Sequence, residues 1–349
     1  MRHVRILGIC LVAAFAMSAV AAATAGAEAK LSEAALAKLY KPLSLCPFSA
    51  KDSEGLEPTE CIFAETLGGK NGGEYTVGSI TIPLSKKIIL QGGENEEYPI
   101  RHHEEEGRGE WFGASNGETL VSPPLAVPGG LVNRIKPQPY WPTALKESYE
   151  TARKNKELTA TETLQLAGTP WVNRANLLEM QHEEGEPGLI AFHLPMKVVV
   201  NSPWLTTLGG GTCHIGSTEH PIIVELTSGQ STGPFPYEYN TSHGLNYGAG
   251  GVTFKDGFNI VEVPGSTLVN NTYAVETGAE GCGGSYESLV DHAISTAAGV
   301  PAPSGANSVI LKGNLLNSDS HRADCVLGKD EQHSKEECET KAKEEGLNL

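Results

Sequence analysis

The chain is short of the residues that most often betray an activity. Its 349 residues include 4 methionines, 4 tryptophans and only six aspartates, and aromatic residues make up 6%. The aspartates (Asp52, Asp256, Asp291, Asp319, Asp324 and Asp330) are scattered, so a Ser-His-Asp set has few sources for its third member. No stripe of lysine or arginine is present. With 26 basic against 42 acidic residues the net charge is −16. That balance excludes nucleic acid and anionic lipid as expected partners, because both need concentrated positive charge. Beyond Ala23 no apolar run approaches the roughly 20 residues that span a bilayer.

What is present begins with an export signal. MRHVRILGICLVAAFAMSAVAAATAGAEAK starts with Arg2, His3 and Arg5, continues apolar from Ile6 to Ala23 and ends on small residues. Ala25-Gly26-Ala27, or Ala23-Thr24-Ala25, fits the signal-peptidase pattern, so residues 1–27 are expected to be a cleaved signal peptide. An uncleaved transmembrane helix is the alternative. Cys10 precedes most of the apolar run, which argues against a lipoprotein. Cleavage removes two arginines and no acid, taking the charge from −16 to −18. The mature protein is expected outside the cell or in the cell envelope, with no membrane span.

Cleavage also leaves six of the seven cysteines: Cys46, Cys61, Cys213, Cys282, Cys325 and Cys338. An even number in an exported chain predicts three disulfides. Six cysteines allow fifteen pairings, and we expect nearest-neighbour pairing: 46–61, 213–282 and 325–338.

Patterning predicts a mainly β fold: an antiparallel β-sandwich with short peripheral helices, stapled by disulfides. Residues 28–45 form a lead with helical spacing in LSEAALAKLY. Residues 46–318 carry about ten short strands joined by Gly/Pro turns, including YTVGSITIPL, KKIILQGG, LTATETLQLAG, LIAFHLPMKVVVNS, PIIVELTSG, FNIVEVPG, LVNNTYAVE and NSVILKG. Pro83 suits an edge or a bend. A helical insertion is expected near 143–157, with Thr143 as its cap, and a short helix at 285–299. Two β domains meeting near 133–158 are the alternative to one. Residues 319–349 read as a charged, helix-forming tail.

Several stretches hint at chemistry. In LGGGTCHIGS, His214 adjoins Cys213, but a base for a nucleophile usually comes from elsewhere in the chain; a disulfide to Cys282 is the expected role. GASNG matches G-x-S-x-G around Ser115, yet two prolines follow where a helix is required, so a turn is expected. RHHEEEGRGE offers His102 and His103 beside three glutamates on what reads as a solvated loop. His321-x3-Cys325 and His333-x4-Cys338 resemble halves of a zinc knuckle, for which oxidation to a disulfide is the expected outcome. No metal, cofactor or catalytic residue is assigned. Asn240 and Asn270 begin glycosylation sequons. The loop FPYEYNTSHGLNY carries Phe235, Tyr237, Tyr239 and Tyr247, the candidate ligand-binding residues for a glycan or protein partner.

Four stretches carry a resemblance: CPFS…C (46–61), GGEYTVGSITIPLSKKIILQGG (72–93), SPPLAVPGGL (122–131) and LPMKVVVNSPWL…CHIGS…PIIVELTSG (194–229). Together they resemble a family of uncharacterised secreted proteins from high-GC actinobacteria over most of residues 46–314. The resemblance implies export and brings no activity, ligand or site residue with it. The expected function is a non-enzymatic exported binding or structural module. The alternative is a secreted hydrolase acting on glycans through a carboxylate pair, two acids drawn from the 36 glutamates and six aspartates.

Overall fold

We describe the protein from a computed structural model covering residues 31–95, 110–172, 190–228, 253–256 and 259–328, together with 337, 338 and 340. Within them, sixteen strands pair antiparallel into one sheet. Its long strands are β1 (Glu60–Thr66), β4 (Ile89–Asn95), β10 (Ile190–Asn201), β12 (Ile222–Ser228), β14 (Ile260–Asn270) and β16 (Ser308–Asp319). They lie in the order β10-β12-β14-β16-β1-β4.

The sheet curls until its edges meet. β8 (Thr161–Leu166) pairs with β10 on one side, and the proline-interrupted segment LVSPPLA closes the gap. One end of that segment, β6 (Leu120–Val121), pairs with β4, while the other, β7 (Leu125–Ala126), pairs with β8. Pro123 and Pro124 lie between the two short strands, where no ladder donor is needed. The result is a closed ring of eight strand positions. The facing layers expected of a sandwich are thus two wings of a single curled sheet. Strands from before and after the helix at 143–154 pair within it.

Strand alternation sorts residues between inside and outside. On β10, Phe192, Leu194, Met196, Val198 and Val200 are buried, whereas His193, Lys197 and Val199 are half-buried. On β1, Ile62 faces inward and Cys61 outward, and on β16 Leu315 and Leu316 divide in the same way between two separate apolar clusters. The larger cluster fills the ring and extends to the helices at 143–154 and 287–298. The smaller one sits on its outer face, under α1 (Glu33–Tyr40) and α5 (Ser320–Leu327).

Three readings from the sequence are refined. YTVGSITIPL is a hairpin, not one strand: β2 (Gly73–Val77) turns through Gly78-Ser79 into β3 (Ile80–Pro83). Gly78 has φ +57°, a backbone conformation that suits glycine at the first position of a two-residue hairpin turn. β3 pairs only with β2, which places Pro83 on an edge. The two strands expected on either side of Pro264-Gly265 are one, β14, with a bulge between Val263 and Ser266. The tail opens with α5, whose Arg322, Ala323 and Asp324 are buried against the barrel.

The predicted insertion helix is α2 (Thr143–Lys154). Thr143 is its first helical residue, and Pro142 before it makes no side-chain cap. Its buried face, Leu145, Tyr149 and Ala152, packs on Trp141 and on Trp204 of α3 (Pro203–Thr207), with the Tyr149 and Trp204 rings 5.5 Å apart. The helix expected at 285–299 is α4 (Glu287–Ala298).

Candidate ligand-binding site

The interior of the ring is not completely filled. A cavity of about 100 Å³ is lined from all eight strand positions, among others by Ala64 of β1, Leu90 of β4, Leu120 of β6, Leu164 of β8, Phe192 of β10 and Leu268 of β14. A second chamber of about 60 Å³ continues along the interior toward β2, past Val198, Val224 and Val309. Eight-stranded barrels are wide enough to be filled by side chains or to hold one small ligand. Here the sequence leaves room at one place. The register sets Thr66 and Ser266 on either side of Gly313, with Ala64 opposite Leu315 next along the ladder. Three small side chains therefore meet where larger ones would close the core. Gly313 cannot carry one, because an added Cβ would collide with the Glu65 carbonyl.

The lining is aliphatic except at one end. There Ser266 Oγ donates to the Gly313 carbonyl (3.2 Å), Asn314 Oδ1 accepts from Gly265 N–H (3.0 Å), and Asn314 Nδ2 donates to Glu65 (3.4 Å). Lys87 Nζ sits 2.8 Å from both Glu65 carboxylate oxygens, so this acid is neutralised at the surface.

At the far end a buried polar pair closes the interior. Tyr75 Oη donates to Glu162 Oε2 at 2.7 Å. Burial raises the Glu162 pKa to about 6, opposed by the Tyr75 hydrogen bond and by the charge of Arg134. Burial, reinforced by the Glu162 charge, likewise pushes the Tyr75 hydroxyl well above the ordinary tyrosine value. Tyr273 borders the second chamber, and its hydroxyl is satisfied by the Thr76 (2.7 Å) and Ser308 (3.0 Å) carbonyls.

The residues singled out from the sequence fall elsewhere. The six cysteines form Cys46–Cys61, Cys213–Cys282 and Cys325–Cys338. Cys213 is therefore no nucleophile. The glycines around it serve close approach, since a Cβ on Gly210 would strike the Cys282 carbonyl. His214 Nδ1 donates to the Thr212 carbonyl (2.6 Å), and Nε2 lies 3.7 Å from Glu280. Ser115 occupies an exposed turn.

Phe235, Tyr237, Tyr239 and Tyr247 lie outside the described residues, as do His102, His103, His333 and the Asn240 sequon. Asn270 is buried, with Nδ2 donating to the Glu225 carbonyl (2.7 Å), which leaves that sequon no accessible acceptor in the folded chain.

For the hydrolase alternative, Glu60 lies opposite Asp319 on one side of β1, and on the other side the glutamates Glu60 and Glu94 face each other. Both are buried and neither lines either chamber. Among the described residues no group of three or more His, Cys, Asp or Glu is placed to hold a metal ion, and no helix is long and apolar enough to cross a membrane.

The chamber residues carried no signal as a group in the sequence. Ala64, Ser266 and Gly313 are ordinary small residues until pairing across some two hundred positions brings them together. Comparison of the chain with protein-family models, curated proteins and solved structures finds no match, so fold and cavity stand on their own geometry.

Proposed function

We propose that the protein is an exported, non-enzymatic binding protein that holds a small hydrophobic molecule inside its barrel. The observation that carries this reading is the apolar cavity lined from every position of the closed ring. Natural interiors are close-packed, and voids larger than a water molecule are few; an apolar void of this kind stays dry and takes up apolar guests. The three disulfides support an oxidising compartment and hence export. The buried, non-lining positions of Glu60 and Glu94 offer nothing to the hydrolase alternative.

Calorimetric titration of the mature protein with butanol tests the reading. We expect saturable binding at one site with a negative heat-capacity change, abolished by Ala64→Phe. Absence of binding overturns the reading, as does turnover of a polysaccharide that follows the purified protein.

A further inference from the structure

Resting on that reading, we infer that the two chambers form one channel divided by Met196, built for a single unbranched chain with an uncharged polar head beside Ser266 and Asn314.

The two chambers share a wall of Leu164, Leu194, Met196, Leu226 and Leu311. They are arranged in line. Along β16 the lining passes from Leu315 and Gly313 in the first chamber, through the shared Leu311, to Val309 in the second. Along β10 it passes from Phe192 through Leu194 and Met196 to Val198. Six residues of strand span about 20 Å, so the voids follow a long, narrow path, not a round pocket. Within the shared wall Met196 is the unbranched member, with more rotatable bonds than leucine and a soft thioether. A change of its rotamer joins the chambers without moving the backbone. A bulky ring system cannot follow this route, whereas an aliphatic chain can.

Polarity sets the orientation and the charge of the guest. The far chamber is bounded by Tyr75 and Tyr273, whose hydroxyls already donate to Glu162 and to backbone carbonyls. The first chamber ends among Ser266, Asn314 and Glu65. Among the described residues the cation beside them is Lys87, engaged by both oxygens of Glu65. A carboxylate head would have to compete with Glu65 for that lysine, since the chamber lining itself holds no lysine or arginine. An alcohol, which both donates and accepts, fits the capacity these groups keep, since Ser266 Oγ can still accept and Asn314 Nδ2 carries a second N–H.

The experiment is a calorimetric series on the mature protein with butanol, hexanol, octanol and decanol, followed by octanoate. A joined channel predicts that affinity rises about fourfold per added methylene beyond the length that fills the first chamber. Octanoate should bind at least tenfold more weakly than octanol. Val224→Phe, at a residue that lines the second chamber and not the first, should lower the octanol-to-butanol affinity ratio at least tenfold; Val224→Leu replaces it if the larger variant does not fold.

If butanol binds and octanol binds no tighter, the channel is overturned while the single-chamber reading survives. If octanoate matches octanol, the uncharged head is overturned. If no alcohol binds at all, the site itself fails. The length series decides the first point without any variant.

Discussion

The two apolar clusters of this molecule are built on opposite principles. The inner one, which fills the ring and runs on under α2, α3 and α4, is large and mostly aliphatic, and it is left with two chambers. The outer one, under α1 and α5, is small and tied down from several directions. Cys46–Cys61 crosses it. Beside it, Arg322 grips Asp256 with Nε at 2.7 Å and a terminal nitrogen at 3.0 Å, and Tyr40 Oη donates to the same carboxylate at 2.7 Å. The Arg322 and Asp256 side chains are only 6% and 8% exposed, so this is a buried ion pair. Burial and the Asp256 charge raise the Tyr40 pKa, which keeps the hydroxyl protonated as a donor. The buried charge pairing is thus placed outside the barrel wall, and the voids inside follow a single path between the strands. They do not reflect loose packing throughout.

Arg322→Ala is the harshest test of that contrast. It strands the Asp256 carboxylate and should cost about 3–5 kcal/mol in denaturant unfolding; a loss below about 1 kcal/mol would mean the outer cluster is not held by charge. Cross-links come next. Replacing Cys213 and Cys282 by alanine opens a separation of 69 residues and should cost about 4 kcal/mol, against about 3 kcal/mol for Cys46 and Cys61, separated by 15. Equal losses would show that native packing, not loop length, decides.

Glu162 probes the inner cluster. Its folded pKa of about 6 lies above its ordinary value of 4.5, so the folded state binds the proton more tightly. Stability from this group is therefore complete below about pH 4.5 and falls as pH rises through 6, by about 2 kcal/mol. Glu162→Gln keeps an acceptor for Tyr75 and should remove that slope, raising stability at pH 8 by a similar amount in urea titrations.

The smallest effect contrasts added volume in the two places. Ala323, fully buried in the outer cluster, should not tolerate leucine, with about 1–3 kcal/mol lost. Ala64→Val at the chamber should instead gain about 1 kcal/mol, read as a higher midpoint. The same sign for both would end the distinction.

Much of the frame was legible from local chemistry. Alternating runs such as LPMKVVV and IIVEL declare half-buried strands, and six cysteines remaining after the predicted cleavage suggest their own pairing by proximity. The helix LSEAALAKLY and the edge position of Pro83 followed from spacing and from the missing donor. What could not be read depends on register. Closure of the ring needs one segment to serve two strands on opposite edges, through Leu120–Val121 and Leu125–Ala126. The buried pairing of Arg322 with Asp256 hides in a stretch whose charge looks like a solvated tail. The first chamber exists because Ala64, Ser266 and Gly313 become neighbours only after pairing. The candidate aromatics had a local signal, yet they lie outside the described residues.

The place of β16 has a consequence for the order of events at synthesis. Of the described strands it is the last to leave the ribosome, yet it lies between β14 and β1 and also carries β2. Its Asn314 reaches Glu65, 249 positions earlier. With only the first three hundred residues made, both flanking strands lack the partner that joins them, and contacts so distant in sequence form slowly. The ring therefore cannot close before β16 has been made, however early the other strands find each other.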